Sequence, residues 1–418
     1  MRMKLTYFSP SVFPEQKSHA IQILQTCHAF ARAGVKVELF AKKLRGSEAE
    51  ILAYYGLKPH PNLTLRRPGR AGSKRNAWSG RAFYTWLLAR LLRDGLAARL
   101  GGERTCYYFR GASRVLGLLR WLAPWARRAG IPLVYEVHSI QYADDVHLRR
   151  YVARLQGLKP ENAPEFPADL LEKHRRELFE MERDAYASLT GMVTISDRLV
   201  ELVREHFALE RPHLVAPSGV PLEATALPPR AGRDVDLCYV GNLYYFNGVT
   251  VLLEALAQMP GRRLAIVGGG EPGDVERCRE LAVTLGIADR VEFLGFRPHP
   301  EALAWLRRSR VVVAPMLQGV LKRVEDYCSP GKLGEYMASG ATIVASRSQS
   351  LEVFLKDGRN ALLVPPNDAA GLATGLRRAL DDEALAAGLA AQAFEDVQPF
   401  TFDSRARRLI EFMRTLER

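Results

Sequence analysis

The run CSPGKLGEYMASGATIVAS, residues 328–346, reads as a helix that leads into a strand. Ser329 is the predicted N-cap, Pro330 the first helical residue and Lys332 the third. Leu333, Tyr336 and Met337 recur at helical spacing and form an apolar face. Gly340 stops the helix, and TIVAS (342–346) follows as an apolar strand. Lysine is out of place in a first turn. That end of a helix carries partial positive charge and four N–H groups without helical partners, so an acidic residue belongs there. An anion bound at the terminus, held in part by Lys332, would resolve the conflict, and Glu335 would then face sugar hydroxyls. The alternative is a surface pair between Lys332 and Glu335, worth about 0.2–0.5 kcal/mol.

Working outward, the same strand–helix rhythm runs through both halves of the chain. KLTYF (4–8) is a strand, SPSVFPEQKSH (9–19) a loop, and Ser18 caps a helix that Gly34 ends. VKVELF, TCYYFR, IPLVYEVH and GMVTIS are further strands up to residue 196. Residues 143–185 form an excursion that ends in a charged helix. Proline, glycine and alanine gather over 214–234, which marks a linker. A second series follows with DLCYVG, RLAIVGGG, VEFLGF, VVVAPM, TIVAS and ALLVP. Alternating strands and helices predict an α/β protein with two Rossmann-like, doubly wound parallel sheets facing a central cleft. The predicted domains are 1–220, a linker 221–235, a second domain 236–395, and a terminal helix 396–418 that returns to the first domain.

The 418 residues carry a net charge of +13. Between Arg66 and Arg128 there are 15 Lys or Arg against two acids, Asp94 and Glu103. Within that segment, residues 81–100 read as a helix mixing aromatic, aliphatic and arginine side chains. It is either an interfacial helix on an anionic membrane or a core helix with a solvated basic face. Nucleic acid is not expected, because no RNP, KH or zinc-finger pattern accompanies the charge. The five cysteines are scattered with no C-x-x-C pair, which argues against zinc and disulfides and fits a reducing, cytoplasmic setting. No apolar run is long enough to span a bilayer.

Candidate ligand contacts gather at strand ends. Gly268, Gly270 and Gly273 have G-x-G-x-x-G spacing after a strand and before a helix, a weak signal in the right context; a plain tight turn is the alternative. Gly241 and Asn242 end another strand, where a ligand could approach the backbone. His138 closes VYEVHSI, in either a structural or a cleft-facing role. Lys17, Ser18 and His19 lie at a helix start and form a possible acceptor or phosphate loop. Asp144, Asp145 and His147 are a weak metal pattern, and Asp234-Val235-Asp236 stands at the wrong end of its strand for a site.

With these residues in view, SPGKLGEYMASGATIVASRSQSLEVFLKDGRNALLVPPND (329–368) resembles the donor-site segment of glycosyltransferase family 4, retaining enzymes of the GT-B fold. VTISDRLVELV, VAPSGV, VEFLGFRPH and VVVAPM resemble family segments in the same order. The resemblance implies metal-independent transfer from a nucleotide-sugar, bound by the second domain, to a saccharide or lipid-linked glycan held by the first. It places Glu335 at the ribose, residues 296–297 (Phe296 and Arg297) at the base, Gly268, Gly269 and Gly270 beside the donor, and His138 near the transferred sugar. Ser329, Gly331, Leu333 and Gly334 would offer the helix terminus to the diphosphate, with Lys332. Two positions depart from the family pattern. The first glutamate of its E-x7-E motif falls on Tyr327, with Glu325 or Asp326 as substitutes. The Arg and Lys that clamp the diphosphate are replaced by Asn242 and Asn247, which leaves the clamp to Lys332. Those departures keep open a non-catalytic binding module and, less well matched, a nucleotide-sugar 2-epimerase. No cofactor is expected. A peripheral position on the inner membrane face is the expectation from the basic segment.

Overall fold

The computed structural model describes residues 3–15, 18–66, 85, 88–93, 95–97, 104–111, 113–158, 165–221, 226–270, 272–321, 325–327 and 331–416. The chain forms two compact units, Met1–Pro217 with Arg405–Arg418, and Ser218–Ser404. The helix Glu383–Val397 runs past the predicted boundary, and the turn Gln398–Phe400, which contains Pro399, separates it from the terminal helix Phe402–Thr415. The terminal helix therefore starts at Phe402 and not at 396, because proline stops a continuous helix there.

The first unit is built on seven parallel strands: β1 (Met3–Phe13), β2 (Lys36–Leu44), β3 (Leu63–Arg66), β4 (Arg104–Arg110), β5 (Leu133–Val137), β6 (Gly191–Thr194) and β7 (His213–Val215). Their order is β3-β2-β1-β4-β5-β6-β7. β1 is longer than its sequence suggests. It pairs with β2 from Lys4 to Phe13, with a register shift between Ser9 and Val12, so residues 9–13 are strand and not loop. The excursion folds as two helices, Asp145–Leu155 and Ala168–Ser188, which share a small core of Leu148, Val152, Phe166 and Leu178. The basic stretch at 81–100 is helical where it is described, with Leu91 buried and Leu96 54% exposed.

The second unit has six parallel strands: β8 (Val235–Val240), β9 (Leu264–Val267), β10 (Val291–Gly295), β11 (Ser309–Ala314), β12 (Thr342–Ser346) and β13 (Leu362–Val364), in the order β10-β9-β8-β11-β12-β13. Both faces of this sheet are covered, so β11 and β12 are apolar without a polar alternate face. Side chains still divide with period two. Val311 and Val313 join one core with the helix Val249–Ala257, while Val312 and Ala314 join another with Leu333, Tyr336 and Met337. In each sheet the strand order reverses beside the first strand, between β1 and β4 and between β8 and β11. Ligands of such sheets bind beyond the strands' carboxyl ends at this reversal.

The helix Gly331–Ala338 is tied to the reversal in the second sheet by Tyr336. Its buried hydroxyl accepts from the Val240 N–H at 3.0 Å and donates to the Val240 carbonyl at 2.9 Å. Tyr336→Phe leaves both backbone groups without that partner, and a loss of about 1–3 kcal/mol in urea unfolding is expected.

Candidate active site

The second unit brings most of the sequence-predicted residues together. Lys332 is the second residue of the helix Gly331–Ala338, and its Nζ lies 3.2 Å from Asn247 Oδ1. It also lies 3.4 Å from the Tyr239 hydroxyl and 4.9 Å from the centre of that ring, a cation–π position. Asn247 Nδ2 in turn donates to the Asn242 carbonyl at 2.8 Å, and the Tyr239 hydroxyl donates to the same oxygen at 2.6 Å. The ammonium is thus seated on a fixed amide and a buried ring, close against Gly241.

Three strand ends are laced beside it. Gly241 N–H donates to Val267, Leu243 N–H to Gly269 and Gly268 N–H to Gly295. Gly268 has φ +144°, and a Cβ there would sit 1.9 Å from the Gly241 carbonyl oxygen. Only glycine permits this approach of one strand end to the next. Gly270 packs against Leu243 and Asp274. Phe296 and Arg297 follow Gly295 and are exposed, Phe296 by 51%.

Other predicted residues are qualified by the packing. Leu333 is fully buried, so only its backbone can face a ligand. Gly334 is a point of close packing, where a Cβ would lie 1.9 Å from Val220 Cγ2. Glu335 accepts from His299 Nε2 at 2.9 Å, a partner that sequence reasoning missed although His299 lies beside the predicted 296–297 contact. Tyr327 is buried, so an aromatic core residue fills the motif's first glutamate position. Glu325 turns Oε1 to the N–H groups of Val320 and Leu321, at 2.9 and 3.0 Å, and caps its own loop. Ser329 and Lys17 lie outside the described residues, as does the side chain of Ser18. His19 stands 3.6 Å from Glu15.

In the first unit, His138 follows β5 near the reversal beside β4. Its Nε2 is 2.8 Å from Glu136 Oε1. Glu136 is 1% exposed and also accepts from the Tyr108 hydroxyl and from Arg405 Nη2, the latter at 2.8 Å. Arg110 approaches to 3.7 Å. Burial works to raise the Glu136 pKa, but Arg405 and Arg110 outweigh it and hold the carboxyl well below its usual range. Burial and Arg110 push His138 down to about 4, against the opposing pull of Glu136. Sequence reasoning missed Glu136, Arg110 and Arg405. Positions 136 and 138 share one face of a strand, so Glu136 was within reach of a period-two reading; Arg405, 269 residues away, was not.

After His138 the chain is held by Glu182, which is fully buried and accepts from the N–H groups of Gln141 and Tyr142, each at 2.9 Å. The weak metal pattern dissolves into structure. Asp144 caps a helix by accepting from the His147 N–H, and Asp145 pairs with Arg175. Asp234 pairs with Arg308.

Residues 234–382 match the family model described as "Glycosyl transferases group 1". The match lies within the second unit, and the protein is a sugar-transferring enzyme. It is 26% identical over 419 residues to D-inositol 3-phosphate glycosyltransferase of Corynebacterium diphtheriae, covering 93% of this chain and 87% of that one. Its fold matches sucrose-phosphate synthase from Thermosynechococcus elongatus with a TM-score of 0.68 at 21% identity, covering 99% of both chains. It also matches Anabaena HepE in complex with UDP-glucose, with a TM-score of 0.64 at 17% identity and 99% of both chains covered. The GT-B fold of these structures is the fold of this glycosyltransferase.

The packing at Gly334 is testable. Gly334→Ala drives a methyl into Val220 and should destabilise the enzyme by about 1–3 kcal/mol. Adding Val220→Ala to that variant removes the opposing methyls, and part of the loss should return in urea denaturation.

Proposed function

We propose that the glycosyltransferase is a retaining, metal-independent enzyme that moves a sugar from a nucleoside-diphosphate-sugar to a saccharide or lipid-linked glycan. The observation that carries this reading is the Lys332 ammonium at the reversal of the second sheet, in the first turn of a helix and fixed by Asn247 and Tyr239. A diphosphate there would meet a cation, the first-turn N–H groups at Gly331 to Gly334 and a helix dipole. These donors are set before the reaction, so they stabilise the charge that grows as the sugar–phosphate bond breaks. Exposed Phe296 offers a ring to the base, and Glu335, oriented by His299, accepts ribose hydroxyls. His138 meets the transferred sugar. The UDP-glucose bound by HepE makes UDP-sugars the first donors to test.

Lys332→Ala decides between a clamp and a surface lysine. A true donor at 100 times its dissociation constant stabilises the wild type by about 2.7 kcal/mol, visible as a thermal shift. In a panel of UDP-, GDP-, ADP- and TDP-sugars, Lys332→Ala should erase that shift while the apo protein stays folded. A retained shift, with nucleotide release unchanged, removes Lys332 from the donor site.

The acceptor side of the proposal includes an anionic membrane on the inner face of the cell envelope. Trp121 is 69% exposed on the helix Ser113–Ala129, with Arg120 stacked on its ring and exposed Arg127 and Arg128 in the last turn. An exposed indole beside solvated arginines suits the boundary of headgroups and acyl chains. No described helix is long and apolar enough to cross a membrane. The enzyme should float with phosphatidylglycerol vesicles at low salt. Trp121→Ala with Arg127→Glu and Arg128→Glu should weaken this markedly, and equal binding to neutral vesicles would contradict the electrostatic part.

A further inference from the structure

The Glu136 cluster packs against His138 through Glu136 Oε1. Arg405 is 3% exposed, and its guanidinium makes three bonds inside the first unit: Nε to the Pro217 carbonyl at 2.9 Å, Nη1 to Thr26 Oγ1 at 3.3 Å and Nη2 to Glu136 at 2.8 Å. The Glu136 carboxylate, so fixed, takes the Tyr108 hydroxyl and His138 Nε2. An ionised carboxylate only accepts hydrogen bonds, so the ring nitrogen facing it must carry the proton. Nδ1 of a neutral ring then keeps its lone pair. Among the described residues none bonds to Nδ1, and 31% of the side chain is open to solvent.

We infer that Glu136 and Arg405 are positioning residues: Glu136 locks His138 in the Nε2–H form with Nδ1 turned out as an acceptor for a sugar hydroxyl, and Arg405 keeps Glu136 ionised and in place. The inference rests on the reading of His138 as the residue that meets the transferred sugar. Uncharged imidazole suits that task, since a protonated ring would have two N–H donors and no acceptor nitrogen.

The charged and titratable groups around the pair come from every neighbouring element: Tyr7 on β1, Cys27 on the helix Ser18–Arg32, Tyr108 and Arg110 on β4, Glu136 on β5 and Arg405 on the terminal helix. Tyr7, Cys27 and Tyr108 are all shifted upward by burial and are neutral near pH 7. Burial, Arg110 and Arg405 lower the His138 pKa, and Glu136 opposes them. Removing Arg405 takes away one charge that lowers the His138 pKa, so the imidazole should move up, with burial and Arg110 still holding it below its ordinary value. Removing the Glu136 charge acts the other way and also releases the ring.

Imidazole nitrogen NMR on the full-length enzyme tests this without any donor, with His138→Gln used to assign the signal. Wild-type His138 should show a protonated Nε2 and bare Nδ1 at pH 7 and should not titrate down to pH 5. Arg405→Met should move the His138 titration upward from its wild-type midpoint. Arg405→Lys, which keeps the charge, should restore the wild-type curve and is the variant to use where Arg405→Met does not fold. Glu136→Gln should lose the single tautomer without an upward shift. A wild-type ring protonated at Nδ1, or titrating near 6.5, overturns the inference. A separate arm tests the underlying reading: UDP release from UDP-glucose by His138→Gln and Glu136→Gln should fall together, by about 10²-fold as for a misplaced catalytic contact. Unchanged release in both variants with the tautomer confirmed would sink the role of His138 in transfer and leave the positioning network standing.

Discussion

The second unit depends on one tyrosine hydroxyl. Val240 is the last residue of β8, where the sheet order reverses and the neighbouring strand β11 has already diverged from pairing. Its N–H would otherwise be buried without a partner, at a cost comparable to a lost hydrogen bond. The Tyr336 hydroxyl answers both backbone groups of Val240 from the helix Gly331–Ala338. That fixes the helix in height and rotation against the strand end. Lys332 lies one turn earlier on the same helix, so the bond that satisfies the strand also aims the ammonium. The glycines at the tips of β8 and β9 make the approach possible, since a side chain at Gly268 would displace Gly241.

The two units treat buried charge in opposite ways. In the first, Glu136 and Arg405 neutralise one another under a network of neutral donors and acceptors. Burying such a pair contributes little net stability, because desolvation offsets the attraction. What it does provide is a fixed direction, and His138 is the group that receives it. In the second unit Lys332 rests on an amide oxygen and an aromatic face. Both partners orient the ammonium through partial charges.

How far the sequence revealed this follows from the range of each interaction. The strand–helix alternation, the glycine-terminated strands and the helix opening at Gly331 are local patterns, and they led to the fold and to Gly241, Gly268 and Lys332. Residues 9–13 misled because Ser9-Pro10-Ser11 resembles a turn while β1 runs through a bulge with its pairing to β2 intact. The loop at Glu325 misled for a related reason: a carboxylate near the family's motif position was available in sequence, but local backbone N–H groups had already engaged it. His299 to Glu335 and Arg405 to Glu136 are non-local contacts with no periodic signature, and only the folded chain brings them together.

Asn242 and Asn247, standing where the resemblance would place clamp cations, have a physical meaning. Asn247 donates its amide nitrogen to the Asn242 carbonyl and offers its amide oxygen to Lys332. A lysine at 247 would place a second ammonium where the first now lies and repel it. The asparagine does the reverse, drawing Lys332 across to the strand end from the helix. A single helix, Gly331–Ala338, thus brings both the ammonium and its own first-turn N–H groups to the end of the first strand of the second unit. Because a single helix then sets both the cation and the dipole, a shift of that helix would move both at once, and Tyr336 on the strand end holds it in place.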